Sequence, residues 1–470
     1  MRILLPTGSL TYDIVRHAAR GIDADVIVTG EVASLLTPHQ LEYLVNQGTY
    51  DMVLVSGMVT ASFDSVETTT GVPVYKGPRH AADLEQILSE IDRIPLSRTV
   101  PADEFISNKR REEAVRNVIS REESAGFAYN IRGVKIGENS RMKVLAEIMD
   151  AHRVQDLRSA VDGAFCSGAD IVDLGFGFDA CEADVIRCFE EVAVCDGPLA
   201  IDTQDPALIA AGLFRADIIL SLHDGNIPLV GRDVADSGAV AVIVPCVSDL
   251  PENIRKAEDA GISCIIADPV LKPAGSGLVR SLGQFAVSNY PIFFGAGNVV
   301  ELMDADSIGM NCLLAAMAAE LNCSVLYTSE HSDKTKGSIS EMRRATEMMV
   351  LSGDRPYPKD LGIDLLVIKE KRRRREPPLT YSSVTEAGPC REDLVYDPCG
   401  NFRIGIEGNS IVAAVHGRAI KGRSWVDVFS AILEAGDISL LDHAAYLGKE
   451  LYKAELAIRF GRSFEQDGEF

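Results

Sequence analysis

Short apolar runs ending in Gly or a small polar residue recur along the first 95 positions, most followed by an amphipathic stretch. They read RILLPTG then YDIVRHAARG, ADVIVTG then LTPHQLEYLVNQG, DMVLVSG, and VPVYKG. Apolar runs bounded by turn signals suit strands covered on both faces, and the stretches between them suit helices. Residues 1–95 therefore predict a small Rossmann-like parallel α/β domain. The loop PTGS at 6–9 lacks the GxGxxG and GK[ST] patterns of phosphate-binding loops and reads as a tight turn. Residues 96–132, which include SNKRREEAVRNVISREESAG, are polar and charged and predict a helical connector.

A second, longer series runs from 133 to 366. Its strand candidates are VKIGEN, ADIVDLGFGFD, PLAIDTQ, ADIILSLHDG, VAVIVP, SCIIADPV, YPIFFGAGN and CSVLYTSE, with helix-length segments between most of them. Eight such units fit a closed (β/α)8 barrel, the TIM barrel, whose ligand site lies at the C-terminal ends of its strands. The run ends offer Glu138, Asn139 and Ser140; Asp173 and Asp179; Asp202 and Thr203; Ser221, His223 and Asp224; Asp268; Asn298; and Glu330 with His331. Asp202, in PLAIDTQDP at 198–206, has two readings: a ligand-binding carboxylate at a strand tip, or the N-cap of the next helix. So many carboxylates and amides on one rim suit a ligand rich in N–H donors, such as a heteroaromatic ring with an amino-imide edge.

Composition narrows the function classes. A net charge of −23 over 470 residues argues against nonspecific binding to nucleic acid or an anionic membrane surface. The dense basic run KEKRRRR at 369–375 precedes two prolines, so 367–379 reads as a solvated linker. Ten cysteines occur without CxxC pairs, and several lie inside apolar runs, as Cys246, Cys264 and Cys312 do. They read as reduced thiols of a cytoplasmic protein, and no confident metal site is expected. MRILLPTGSL lacks the pattern of a secretory leader, and no run of about 18 apolar residues suggests a membrane span.

The ordered motifs VDLG (172–175), AIDT (200–203) and ADP (267–269) make the barrel resemble the pterin-binding family of dihydropteroate synthases and methyltetrahydrofolate-type corrinoid methyltransferases. The resemblance implies that Asp202 and Asp268 hold the donor edge of a pterin, with Asn139, Asp173, Asp224 and Asn298 as further pterin-binding candidates. Several synthase motifs differ: DPVLKPAGSG stands at 268–277 for DPGxGFxK, GAGN at 295–298 for GxSRK, and SEH at 329–331 for RxH. IGEN (136–139), GAGN and DSIGMNCLLAAMAAELN are similar to the methyltransferase branch. There the asparagine, here Asn298, lies near the pterin N5. The whole arrangement looks most like archaeal-type dihydropteroate synthase-related proteins, which are associated with methanopterin.

Residues 380–470 hold DPCGNFRIGIEGNSIVAAVHG, a hairpin pattern with GN at its turn, and the helical HAAYLGKELYKAELAIRFG, which together predict a small α+β module. This stretch resembles a domain related to the A subunit of tetrahydromethanopterin methyltransferase. A corrinoid there would need an axial ligand such as His416 or His443, although no DxHxxG motif accompanies them.

What the resemblance implies is a transferase of tetrahydromethanopterin biosynthesis that joins a hydroxymethyl-dihydropterin diphosphate to an arylamine. Mg²⁺ and the cations Lys272, His331, Lys334 and Lys336 are its diphosphate candidates. Methyl transfer between a tetrahydropterin and a corrinoid is the alternative, and a non-catalytic pterin-binding protein a third. Pterin barrels of this family pair, so the resemblance also implies a homodimer.

Overall fold

A computed structural model describes residues 1–286, 289–353, 357–359, 361–369, 381–388 and 395–469. The chain forms two compact units, Met1–Ser124 with Val350–Val384, and Ala125–Met349 with Thr385–Phe470. The basic run at 369–375 lies, apart from Lys369, outside the described residues.

In the first unit, strands β1 (Ile3–Gly8), β2 (Ala24–Gly30), β3 (Met52–Val55) and β4 (Val74–Lys76) form a parallel sheet in the order β2-β1-β3-β4. These are the four apolar runs of the sequence. β1 is buried at all six positions, as a strand with helices on both sides must be. The connector folds as a helix over Ala102–Ser124.

The second unit opens with a two-stranded antiparallel hairpin, β5 (Tyr129–Ile131) and β6 (Val134–Ile136). Eight parallel strands follow: β7 (Lys143–Ile148), β8 (Ile171–Gly175), β9 (Leu199–Asp202), β10 (Ile218–Leu222), β11 (Val240–Ile243), β12 (Ile265–Ala267), β13 (Phe293–Phe294) and β14 (Val325–Ser329). They pair in the order β12-β11-β10-β9-β8-β7-β14-β13, and a parallel bridge from Ala267 to Ile292 joins the two edges into a barrel. The eightfold α/β barrel expected from the sequence is the fold found.

One assignment within it changes. The run VKIGEN supplies β6 of the hairpin, and the first barrel strand is KVLAEI. The Tyr129 hydroxyl donates to the carbonyl of Ile265 at 3.1 Å and accepts from its N–H at 3.0 Å, while Arg132 pairs with Asp217 at 2.8 Å. Ile265 starts β12 and Asp217 precedes β10, so the hairpin lies across the N-terminal end of the barrel. It contributes Ile131 and Ile136 to the barrel core.

The C-terminal hairpin forms with Gly408 and Asn409 at its turn, joining β15 (Arg403–Glu407) to β16 (Ser410–Val415). A third antiparallel strand, β17 (Arg418–Gly422), follows a tight turn at His416 and Gly417. Helices Trp425–Glu434 and Leu441–Phe460 pack on this sheet around Ile411, Val428, Leu447 and Leu451.

Candidate functional site at the barrel mouth

Side chains alternate between the inside and outside of a barrel strand, so residue type at every second position determines what fills the interior. Leu145, Ile171, Ala200, Ile266 and Val325 share one buried apolar cluster. Two residues further along each of these strands, towards the C-terminal end, stand Glu147, Asp173, Asp202, Asp268 and Tyr327. The interior therefore changes from aliphatic to acidic within one layer of side chains.

Asp202 ends β9 and is not a helix cap. The N-cap of the next helix, Pro206–Gly212, is Asp205, whose Oδ1 accepts the Ala207 N–H at 2.8 Å. Thr203 Oγ1 accepts from the Asp205 N–H at 3.2 Å and so shapes the intervening turn. Among the described residues no hydrogen bond reaches the Asp202 side chain, which leaves its carboxylate without a structural duty.

All four acids are pushed above the ordinary carboxylate range, first by burial. Asp268 rises to about 7: its burial outweighs the 2.8 Å hydrogen bond that its Oδ1 accepts from the Val270 N–H, and the nearby Asp202 charge adds to the rise. Asp173 is 0% exposed, and neither carboxylate oxygen has a hydrogen-bond donor. Burial and the charges of Asp202 and Glu147 raise it strongly. Burial also raises Asp202 and Glu147, and for Glu147 the bond from the Tyr327 hydroxyl and the nearby His331 act in the opposite direction. Buried carboxylates short of donors are poised to accept from a ligand.

The other expected site residues are dispersed. Asn139 sits four positions ahead of β7, at the N-terminal end of the barrel, and its Oδ1 accepts the Gly126 N–H at 2.7 Å. It is thus removed from the mouth, because its segment belongs to the hairpin; the tip of the first barrel strand bears Glu147 instead. Asp224 Oδ1 accepts from the N–H groups of Val247 and Ser248, each at 3.2 Å, and from Asn253 Nδ2 at 3.3 Å. Those bonds outweigh burial and hold its carboxyl below the ordinary range, so it braces the loop after β11. Asn298 is exposed on the short helix Gly297–Val300 after β13. Lys272 and Lys336 are exposed, Lys334 pairs with Asp304 at 3.1 Å, and His331 lines a cleft with Glu147 and Glu330.

Glu147 and Tyr327 are site residues that the sequence reading missed. KVLAEI consists largely of good helix formers, so local propensity conceals the strand. The signal lay in alternation, since Glu147 follows Leu145 by two and Tyr327 follows Val325 by two. Two glycines make room for these side chains: a Cβ on Gly175 would lie 2.6 Å from Glu147 Oε1, and one on Gly297 would lie 2.6 Å from the Tyr327 ring.

Comparison with known proteins places the chain in a family. Over 522 aligned residues the chain is 34% identical to the uncharacterized protein MJ0107 of Methanocaldococcus jannaschii, covering 99% of this chain and 98% of that one. The chain belongs to that protein's family. Residues 396–467 match the family model described as PterinBD-DUF4346. Among solved structures, Yersinia pestis dihydropteroate synthase with a pterine-sulfa conjugate is similar at 17% identity and a TM-score of 0.39, covering 48% of this chain and 98% of that one. Xanthomonas albilineans dihydropteroate synthase is similar at 19% identity and a TM-score of 0.38, covering 46% and 94%.

Proposed function

We propose that the barrel binds a pterin and joins a hydroxymethyl-dihydropterin diphosphate to an arylamine, the ribofuranosyl-aminobenzene unit of methanopterin being the favoured acceptor. The observation that carries this reading is the pair Asp202 and Asp268. Asp268 is buried and Asp202 half-buried, they stand at the C-terminal ends of β12 and β9 around one mouth, and Asp202 is free of any capping role. An amino-imide edge presents two or three N–H donors in one plane, and acceptors short of donors recover their desolvation cost only against such a partner. Asp202 and Asp268 stand in the motifs AIDT and ADP on which the family resemblance rests, and the name of the domain model matched by residues 396–467 agrees with it.

In this reading Asp202 and Asp268 fix the ring so that its exocyclic CH₂–O bond points out of the barrel. The diphosphate, taken as its Mg²⁺ complex, leaves with the C–O bonding pair towards Lys272, Lys336 and His331 at the rim, and the arylamine nitrogen then attacks the methylene carbon and releases its proton to solvent. Asp173 and Glu147 keep the floor of the pocket acidic. Asn298, exposed beyond β13, keeps methyl transfer from a tetrahydropterin N5 as the second reading.

Incubation of the purified protein with hydroxymethyl-dihydropterin diphosphate and the ribosylated arylamine tests the proposal. Release of diphosphate with formation of the coupled product is expected. No diphosphate, together with demethylation of methyl-tetrahydromethanopterin in the presence of a corrinoid acceptor, would replace it by the second reading.

A further inference from the structure

Glu147, Asp173 and Asp202 converge more tightly than pterin recognition requires. Each offers one carboxylate oxygen, and the three oxygens lie within 4.8 Å of one another. The tips of three consecutive strands supply them, and the register sets Glu147 directly opposite Asp173 and Asp202 opposite Gly175. A Cβ at Gly175 would lie 2.6 Å from Glu147 Oε1, so glycine there leaves the Glu147 carboxylate room to stand where it does.

Asp173 carries the second observation. It is completely buried, both of its oxygens lack a donor, and it lies in this cluster beside two further acids. Among the described residues no Lys or Arg pairs with any of the three. A buried carboxylate without donor or counter-ion costs several kcal/mol, so burial in this form calls for a cation or protons at the cluster.

We infer that Glu147, Asp173 and Asp202 form a binding site for a hard divalent cation in the floor of the barrel mouth. All the ligand atoms are carboxylate oxygens, with no thiolate or imidazole among them, which selects Mg²⁺, Mn²⁺ or Ca²⁺ over softer metals. The spacing agrees: two oxygens on opposite sides of such an ion stand about 4.0–5.2 Å apart, twice the ordinary metal–oxygen distance. Tyr327 holds the second oxygen of Glu147, which fixes the direction of the first. Three protein oxygens leave open positions for water or a ligand oxygen. The second oxygen of Asp202 remains available to a ring bound at Asp268. The site does not rest on the pterin reading, because the trio binds a cation whatever occupies the mouth.

The test is titration of the chelator-treated full chain with Mn²⁺, followed by the electron paramagnetic resonance signal of the free ion. One Mn²⁺ per chain is expected, displaced by Mg²⁺ or Ca²⁺. Asp173→Asn and Glu147→Gln should each weaken it at least tenfold, while Asp268→Asn leaves it in place. Circular dichroism and thermal melting of both variants confirm folding, and either variant alone suffices if the other fails to fold. Absence of binding up to about 1 mM Mn²⁺, the weak end of carboxylate sites, overturns the inference and leaves protons as the neutralising charge. So does stoichiometric binding that survives both substitutions. Pterin binding, followed by fluorescence in the presence of chelator, is a separate readout, so loss of either leaves the other standing.

Discussion

Glu147 and Asp173 stand opposite each other in the β7–β8 pairing, both on the inner wall of the barrel, yet one of them accepts a hydrogen bond and the other does not. Tyr327 donates to Glu147 from β14, the strand on the other side of β7. The asymmetry divides labour within the acidic floor: Glu147 is held in one orientation by the fold, and Asp173 is left for something that is not protein.

Tyr327→Phe should therefore destabilise the metal-free protein by about 1–3 kcal/mol, because it removes the donor that satisfies a buried carboxylate. Glu147→Gln, which keeps an acceptor for the phenol and removes a buried charge, should cost less. Urea unfolding at pH 7.5 with chelator present measures both. Equal stability of Tyr327→Phe and the unaltered protein would show that the phenol does not support Glu147.

Asp268 makes the fold lose stability as pH rises from about 4 to about 7. Its folded value of about 7 lies above its ordinary 3.8, so the stability it contributes is complete below about pH 4 and is lost as pH rises through 7. The three-unit difference sets an upper bound of about 4 kcal/mol. Asp268→Asn should match the unaltered protein near pH 4 and exceed it in stability at pH 8. Melting temperatures of the two proteins across that window measure the effect, and parallel curves would count against it.

The opposite sign holds at Asp170, just ahead of β8. Burial alone would raise its carboxyl, but Arg141 and Arg343 outweigh that and hold it below the ordinary range; Arg343 Nη1 reaches its Oδ1 at 3.0 Å. Asp170 Oδ2 also accepts the Val144 N–H at 2.8 Å, which ties the pair to β7. Asp170→Asn removes one buried partner charge from the almost fully buried Arg141 and should cost about 3–5 kcal/mol. Because the carboxyl is held low, the contribution is present at neutral pH and is lost only in acid. Unfolding measured at pH 7 at two salt concentrations should show a large and nearly salt-independent loss.

The barrel was legible because its strands are nearly unbroken apolar runs with β-branched residues, as in IVDLG, IILSL and VAVI, and because strand tips carry acids where packing has no use for them. Asp202 and Asp268 could be found that way, each being the first charge after an apolar run. Glu147 was missed because KVLAEI has the composition of a helix, so its two-residue step from Leu145 carries meaning only once the segment is seated between β14 and β8. Asn139 misled for a related reason. VKI is a strand, as its pattern predicts, but it pairs with Tyr129–Ile131 outside the barrel wall, and pairing partners are not written in local pattern. β17 was hidden similarly, because RAIKG has little apolar alternation and gains its place from β16 and the turn at His416–Gly417.

Asp202 and Asp205, three residues apart in one loop, separate ligand binding from folding. Asp205 caps the helix Pro206–Gly212, so Asp205→Ala should cost about 1 kcal/mol of stability and leave pterin binding alone. Asp202 caps nothing and is desolvated, so Asp202→Asn should leave stability unchanged or raise it. Under the pterin reading it loses a charge-assisted acceptor, worth about 2–3 kcal/mol, or roughly a hundredfold in affinity. Fluorescence titration with hydroxymethyl-pterin, run beside thermal melting of the same samples, gives both quantities for each variant. The reading requires the two effects to cross: affinity lost at Asp202 with the fold intact, stability lost at Asp205 with affinity intact. If Asp202→Asn binds the pterin as tightly as the unaltered protein, the mouth assignment fails, because no other group at the β9 tip could take over its role.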